Sequence, residues 1–248
     1  MSTERQPRIR PRRFDYPAGH STGRHVHDEH QLVYASDGVL SVETEGSRWV
    51  LPGQRAAWIP AGVFHTVIAA SDATMAALYV EAIGEPVRDG LVVFDVSPLL
   101  RQLIVHLVDQ VGGEPDDGPA RTRLERVALD QLATAPEMPV RLARLRDPRL
   151  RSIEAAFEAD PRDGRTLAQF GAAVGAGERT LQRLFAAETG TTFGRWRTLL
   201  RLQHGLVELG RGASVTTAAT RAGYDQPSAF IAAFKATFGT TPGRYVDR

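Results

Sequence analysis

The chain has 248 residues, enough for one large or two small domains, and its content of 42% hydrophobic and 24% charged residues is typical of a globular protein. It contains no cysteine, which excludes disulfide bonds and thiolate metal sites. It has neither a signal-peptide pattern nor an apolar run of about 18 residues, so we expect a cytoplasmic protein with no membrane partner. The net charge of +1 conceals a basic C-terminal third, because residues 151–248 carry 13 arginines and lysines against 9 acidic residues. That excess predicts an anionic partner.

The N-terminal part of the chain divides into a basic segment and a β-rich segment. Residues 1–13 include five arginines and one glutamate, and we predict that they form a disordered tail. Residues 14–96 alternate short β-rich stretches with glycine, aspartate and proline, which predicts a sandwich or a small β-barrel. Within this segment Asp37 and Gly38 separate two such stretches and predict a hairpin turn.

Histidines are concentrated in the β-rich segment. Five of the seven precede residue 66. On an extended strand His25, His27 and Gln31 face the same side, and His65 arrives from a second strand after the turn at Pro60–Gly62. We therefore expect His25, His27, Gln31 and His65 to converge on one pocket.

The order of these residues resembles the two motifs of the cupin barrel, whose ligands are three histidines and one glutamate. Gln31 stands at the glutamate position, and Glu29 lies on the same face and could substitute for it. Three imidazoles suit Zn, Fe, Ni or Cu, whereas a neutral amide is a weaker ligand than a carboxylate. Three interpretations stay open: a divalent metal site, a metal-free pocket for a small-molecule effector, and histidines that only line the interior.

Two amphipathic stretches follow, at residues 97–111 and 120–135, and both predict helices. The residues expected mainly in the core are Leu99, Leu103, Val105 and Leu107. One of the helices could instead form a dimer interface. We therefore interpret residues 97–145 as a helical linker and a candidate region for homodimerisation.

The C-terminal part contains an internal repeat. The heptapeptides GTTFGRW and GTTPGRY end at Trp196 and Tyr245, 49 positions apart. Each one follows two helical stretches that are separated by a glycine turn, which predicts two helix-turn-helix units. Residues 192–209, between the two units, predict one continuous helix of about 27 Å.

The second helix of the first unit carries a polar stripe. Arg179, Gln182 and Arg183 lie at positions i, i+3 and i+4, opposite a leucine face. Arginine and glutamine form bidentate contacts with guanine and adenine in the major groove. The stripe therefore predicts sequence-specific contact with double-stranded DNA.

Residues 166–246 resemble the DNA-binding domain of AraC-family transcriptional regulators. The signature residues are Gly223, Tyr224, Asp225, Phe230, Phe234, Phe238, Gly239, Thr241, Pro242 and Tyr245. The resemblance implies an all-α domain over residues 146–248, with two helix-turn-helix motifs joined by a long helix. A cupin-like sensor barrel ahead of this domain is common in the family. The expected fold class is therefore α+β, a β-barrel followed by an all-α domain.

The resemblance also implies which residues contact DNA. The positions that read bases are Arg179, Gln182, Arg183, Pro227, Ser228 and Ala232. The candidates for phosphate contact are Thr180, Arg195, Arg197, Arg201 and Lys235. The second unit offers few donors to the bases, so we expect the first unit to supply most of the specificity.

Together these patterns predict a one-component transcription factor and not an enzyme. The barrel would sense a small molecule or a metal, and the paired helix-turn-helix units would bind promoter DNA, with RNA polymerase as a further partner of an activator. The alternative is a cupin metalloenzyme with a helical appendage. Gln31 and the lack of a second carboxylate argue against that alternative.

Overall fold

The computed structural model describes residues 7–53, 55–84, 87–110, 118–138 and 141–246. The chain forms two compact units, one of residues 1–42 and 51–139 and the other of residues 43–50 and 140–248. The boundary at 139/140 lies a few residues before the position 146 expected from the sequence. In addition, the second unit includes a short segment that the sequence pattern assigns to the β-rich half.

The described strands are β1 (Ile9–Tyr16), β2 (His30–Asp37), β3 (Val39–Glu43), β4 (Ser47–Pro52), β5 (Arg55–Ile59), β6 (Thr66–Ala69), β7 (Ala73–Val80), β8 (Val92–Asp95) and β9 (Leu142–Ala143). In the first unit a five-stranded sheet has the order β1-β7-β2-β5-β8, and its strand pairs are antiparallel. Strands β3 and β6 are neighbours in a second sheet. In the second unit the start of β4 pairs with β9, with Ser47 opposite Ala143.

Part of the predicted N-terminal tail is a strand. Strand β1 pairs with β7 from Ile9 opposite Val80 to Tyr16 opposite Ala73. The prediction of disorder is therefore wrong for residues 9–13, and residues 1–6 lie outside the described residues. The strand forms because its backbone completes the edge of the sheet beside β7 while most of its arginine side chains stay in solvent.

The predicted hairpin at Gly38 is wrong in its pairing. Gly38 does turn the chain, with a φ of 71°, but β2 and β3 lie in different sheets. A Cβ atom at this position would collide with the carbonyl oxygen of Asp72. The sequence DG therefore marks a corner between two sheets, where only glycine fits.

Two helices, α1 (Pro98–Asp109) and α2 (Pro119–Thr134), complete the first unit. Their buried residues share one core with the five-stranded sheet, including Leu103 and Leu107 of α1. Leu99 is 52% exposed, so its predicted place in the core is wrong. The reason is that the buried face of α1 runs through Leu100, one position further along the helix.

The helices of the second unit are α3 (Pro148–Ala159), α4 (Leu167–Val174), α5 (Glu178–Thr189), α6 (Phe193–Gly210), α7 (Val215–Arg221), α8 (Pro227–Phe238) and α9 (Pro242–Val246). The predicted continuous helix at 192–209 is confirmed as α6, which begins after the N-cap Thr192. The α+β fold class, a sheet-rich domain followed by a helical domain, is confirmed as well. Across the described residues, no helix has the length and apolar character needed to cross a membrane.

The internal repeat produces the same packing twice. Both α5 and α8 end at a glycine in the left-handed conformation, with φ of 67° at Gly190 and 73° at Gly239. The aromatic residue that closes each heptapeptide then packs on the helix before it. The ring centroids are 5.3 Å apart for Phe185 and Trp196, and 5.2 Å apart for Phe234 and Tyr245. Each repeated heptapeptide therefore contains the glycine that ends one helix and the aromatic residue by which the next helix packs on it.

Candidate functional sites

Three histidines of the first unit lie together. The ligand nitrogens of His25, His27 and His65 all lie within 4.8 Å of one another. Paired backbone hydrogen bonds of 2.9 and 3.0 Å hold His25 opposite His65, and the His65 side chain is buried. The predicted convergence of these three residues is confirmed.

Gln31 joins the same group from β2. Its Oε1 atom lies 3.2 Å from His27 Nε2 and 3.1 Å from His65 Nε2, and its Nε2 atom donates to the hydroxyl of Tyr79 at 3.0 Å. Gln31 is only 1% exposed and sits opposite Tyr79 in the β2–β7 ladder. All four predicted pocket residues are thus in one place, and Tyr79 is a fifth member.

The three imidazoles share one hydrogen-bonding pattern. In each ring Nδ1 faces a backbone carbonyl, which only accepts hydrogen bonds, so each Nδ1 carries the proton and each Nε2 of a neutral ring keeps a lone pair. The Nδ1 to oxygen distances are 3.0 Å from His25 to Gly23, 3.1 Å from His27 to Glu29, and 2.9 Å from His65 to Val63. Histidines that ligate metals are commonly fixed in this way.

The His65 ring stays neutral at physiological pH. Burial is the main reason that the pKa of His65 is lowered to about 4, and the bond to the Val63 carbonyl opposes this shift only in part. A neutral imidazole keeps its Nε2 lone pair available as an acceptor or as a metal ligand. His65 therefore presents a basic nitrogen rather than a positive charge.

The Gln31 carboxamide can serve this group in two orientations. With its oxygen toward the rings, as in the structure, three lone-pair atoms face one another, and a cation would relieve the repulsion between them. With the group turned by 180°, its two N–H bonds would point at His27 and His65, and its oxygen would accept from the hydroxyl of Tyr79. Gln31, His27, His65 and Tyr79 can thus be satisfied with or without a bound cation.

Glu29 takes no part in this group. Its carboxylate is held by Arg10, with an Nε to Oε1 distance of 2.8 Å. The prediction that Glu29 could replace Gln31 as a ligand is therefore wrong. Arg10 lies in the segment that the sequence predicts to be disordered, so no sequence pattern points to this partner.

The polar stripe of the first helix-turn-helix unit is exposed. Arg179, Gln182 and Arg183 all face solvent on α5, while Leu181 and Phe185 on the opposite side are fully buried. No ion pair engages Arg179 or Arg183 within the described ranges, whereas many other arginines of the chain have an acidic partner. The amide nitrogen of Gln182 donates to Glu178 Oε1 at 3.1 Å.

The corresponding face of the second unit carries small side chains. Pro227 begins α8, and Ser228 and Ala232 are exposed on it, while Phe230 and Phe234 are buried. The face therefore presents a hydroxyl and methyl groups. This is the contrast with the first unit that the sequence predicts.

The residues predicted to contact DNA phosphates differ in their surroundings. Arg195 and Lys235 are exposed, Thr180 is half-buried, and Arg197 lies over the Phe193 ring at 5.2 Å from its centroid. These four residues stay predictions as phosphate contacts.

Arg201 has an additional structural role. Its Nε donates to the carbonyl oxygen of Pro161 at 2.8 Å and its Nη2 to that of Asp163 at 3.1 Å. Burial lowers the pKa of Arg201, although nothing in the protein's working range removes its charge. The two bonds fasten α6 to the loop that precedes α4, and a phosphate contact by Arg201 stays a prediction.

Close contacts also fasten α6 to the second helix-turn-helix unit. Gly205 of α6 lies against Phe230 of α8, so that a Cβ at this position would be 2.6 Å from the Phe230 ring. Helix α6 thus contacts helices of both helix-turn-helix units, and all of them lie within the second compact unit.

Comparisons with known proteins match both parts of the chain. Residues 12–127 match the model of an AraC-like ligand binding domain, and residues 170–248 match that of a helix-turn-helix domain. The HTH-type transcriptional regulator NimR of Escherichia coli is 33% identical over 224 residues, which are 90% of this chain and 82% of that protein. The regulator RipA of Corynebacterium glutamicum is 28% identical over 49% of this chain and 35% of its own length. ToxT from Vibrio cholerae aligns with 98% of each chain at 10% identity and a TM-score of 0.41.

Proposed function

Since the chain belongs to the AraC family of DNA-binding transcriptional regulators, we propose that α5 and α8 read promoter DNA and that a divalent transition metal in the histidine site controls this binding. The chain is a regulator and not an enzyme, and it carries the family's ligand-binding domain. The proposal concerns which side chains contact the bases and which effector the ligand-binding domain takes.

Free guanidinium groups support the reading role of α5. Arg179 and Arg183 are exposed and, in the part of the chain that the structure describes, engage no carboxylate. They therefore bring their full hydrogen-bonding capacity to DNA, and arginine is the residue that contacts guanine most often. Ser228 and Ala232 of α8 would add one ambiguous hydrogen bond and contacts with thymine methyl groups.

The observation that carries the metal proposal is the backbone carbonyl that each of the three imidazoles has at Nδ1. His25, His27 and His65 would each offer Nε2, with Gln31 Oε1 as a fourth ligand, and the backbone carbonyls behind the rings would fix their tautomers. Three imidazoles suit Zn, Ni, Cu or Fe, and the amide oxygen would be a weaker fourth ligand than a carboxylate. When bound, the ion would supply positive charge at the centre of the group and draw its four ligands inward.

A metal-controlled regulator needs metal-free and metal-bound states that differ in structure, and Gln31 would supply such a difference. In the metal-free state its amide would donate to His27 and His65, and in the metal-bound state its oxygen would ligate instead. Because the amide also bonds to Tyr79 on β7, the change would alter the contact between two neighbouring strands. An effector shifts an equilibrium only through such a difference between states.

The experiment combines metal analysis with DNA binding on the full-length protein. A chelator-treated sample is titrated with Zn²⁺, Ni²⁺, Cu²⁺ and Fe²⁺, and the metal content is measured for wild type and His65→Ala. Operator duplexes selected from random DNA then report affinity with and without the metal. We expect about one ion per wild-type chain, almost none for the variant, and an affinity change of about fivefold or more that only wild type shows.

Two outcomes would contradict the metal proposal. If wild type retained no metal at micromolar concentrations, the pocket would instead take a small organic effector. If the metal bound but left DNA affinity unchanged, it would be structural and not a signal. Dimerisation and contact with RNA polymerase stay predictions in either case.

A further inference from the structure

Glu178 and Gln182 form a pair on the exposed face of α5. Glu178 is the first residue of the helix, and Gln182 follows one turn later and donates its amide nitrogen to the carboxylate at 3.1 Å. The helix dipole stabilises a negative charge at this end, and Gly177 provides no side-chain cap that would compete for the position. The pair therefore exists before any DNA arrives.

The carboxylate determines how the amide points. A carboxylate only accepts hydrogen bonds, so the nitrogen of Gln182 must face Glu178 and the oxygen must face away. One N–H bond is then used, while the second N–H bond and the oxygen remain side by side. Adenine offers the matching pair in the major groove, an acceptor at N7 and a donor at the N6 amino group.

Guanine is disfavoured by the same arrangement. Its major-groove edge carries two acceptors, N7 and O6, and an unrestrained glutamine can turn its NH₂ group toward them. When Glu178 holds the amide, Gln182 Oε1 meets O6 of guanine instead, and two acceptors oppose each other. The carboxylate itself also repels an edge made of acceptors.

Resting on the proposed reading role of α5, we propose that Glu178 is a specificity-determining residue that fixes the Gln182 amide and so selects adenine over guanine at one base pair. Glu178 acts through Gln182 and need not touch DNA itself. If Glu178 acted through its charge alone, base preference would not depend on it, because a carboxylate near phosphates lowers the affinity for all sequences alike.

The test compares base preference at single positions. Full-length wild type, Glu178→Ala, Glu178→Gln and Gln182→Ala are each used to select duplexes from random DNA. Affinities are then measured by fluorescence anisotropy for duplexes that differ in one base pair. Glu178→Gln keeps the side-chain volume but no longer dictates the direction of the amide, so it controls for shape.

We expect wild type to prefer adenine over guanine at the Gln182 position by about tenfold or more, and both Glu178 variants to lower that ratio to about threefold or less. Their affinity for DNA as a whole should stay equal or rise. If both variants kept the wild-type ratio and changed only overall affinity, the inference would be overturned. If Gln182→Ala left every position unchanged, the reading role of Gln182 would fail instead.

Discussion

At the scale of single residues, the partners that a side chain already has within the protein determine what it can still bind. Arg183 is exposed on α5 and free of acidic neighbours within the described ranges, whereas Arg201 is already bonded to two backbone carbonyls. The sequence predicts Arg183 as a base-reading residue and Arg201 as a phosphate contact. Their surroundings now give them different expected effects on DNA binding and on folding.

The first prediction concerns Arg183→Ala. The substitution should cost about 1–3 kcal/mol of binding free energy on the selected operator and relax preference at one base pair. Folding should be unaffected, because the side chain is exposed. The measurement is a titration of matched and single-mismatch duplexes, with Arg151→Ala on the exposed face of α3 as the control. Equal weakening on every sequence would identify a phosphate contact instead.

The residues of the histidine site could be predicted from the sequence only in part. Alternation along an extended chain placed His25, His27 and Gln31 on one side, because successive side chains point to opposite faces. Tyr79 was missed, since it reaches the site through the register between β2 and β7, which no local pattern specifies. Glu29 was misjudged for the same reason, because its partner Arg10 lies on a different strand from Gln31.

At the scale of elements, helices were more predictable than strand pairs. Helix α6 differs from its predicted bounds by one residue at each end, because Thr192 and the apolar periodicity are local signals. The turn at Gly38 was also local, and it was predicted correctly as a turn. The hairpin pairing of β2 with β3 is wrong, since the true partners β5 and β7 are distant in sequence from β2.

The second prediction tests the contact between α6 and α8. Gly205→Ala places a methyl group 2.6 Å from the Phe230 ring and should lower the free energy of unfolding by about 1–3 kcal/mol through overpacking. Gly194 lies in the same helix with open space around its Cβ position, so Gly194→Ala is a matched control. The control should be neutral or gain up to about 1 kcal/mol from helix propensity. Urea denaturation of both variants gives the comparison, and equal stabilities would show that Gly205 is not a packing requirement.

At the scale of the whole molecule, the second unit contains a half-buried carboxyl group that links stability to pH. The pKa of Glu154 is raised to about 7 from an ordinary value of 4.5. Burial is the largest cause, and the negative charge of the neighbouring Glu158 is the second. Arg144 and Arg48 oppose this shift but do not cancel it. Between pH 4.5 and about 7, the folded state therefore keeps a proton on Glu154 that the unfolded state has released.

The third prediction follows from that linkage. Stability contributed by protonated Glu154 is fully present below pH 4.5 and is lost as the pH rises through about 7. Glu154→Gln should remove this slope and make the variant more stable than wild type at pH 8. With solvent screening of a partly exposed carboxyl, we expect about 1 kcal/mol. Urea midpoints between pH 5 and 8 measure the effect, and parallel profiles for the two proteins would rule it out.

The overall order of a sheet-rich domain and a helical domain was predictable, because each half has its own periodicity and the repeat identifies the helical half. The assignment of residues 43–50 to the second unit was not, since nothing in that short segment distinguishes it from the strands on either side. Its place depends on β4 pairing with β9 and on Arg48 bonding to Glu158 at 2.9 Å.

This segment has a practical consequence for dividing the protein. The chain passes from one unit to the other at 42/43, 50/51 and 139/140, so no single cut separates them intact. A fragment that starts at residue 140 would leave β9 without its neighbouring strand and Glu158 without its arginine. Supplying residues 43–50 as a separate peptide, or joining them ahead of residue 140 through a flexible linker, should restore the missing strand.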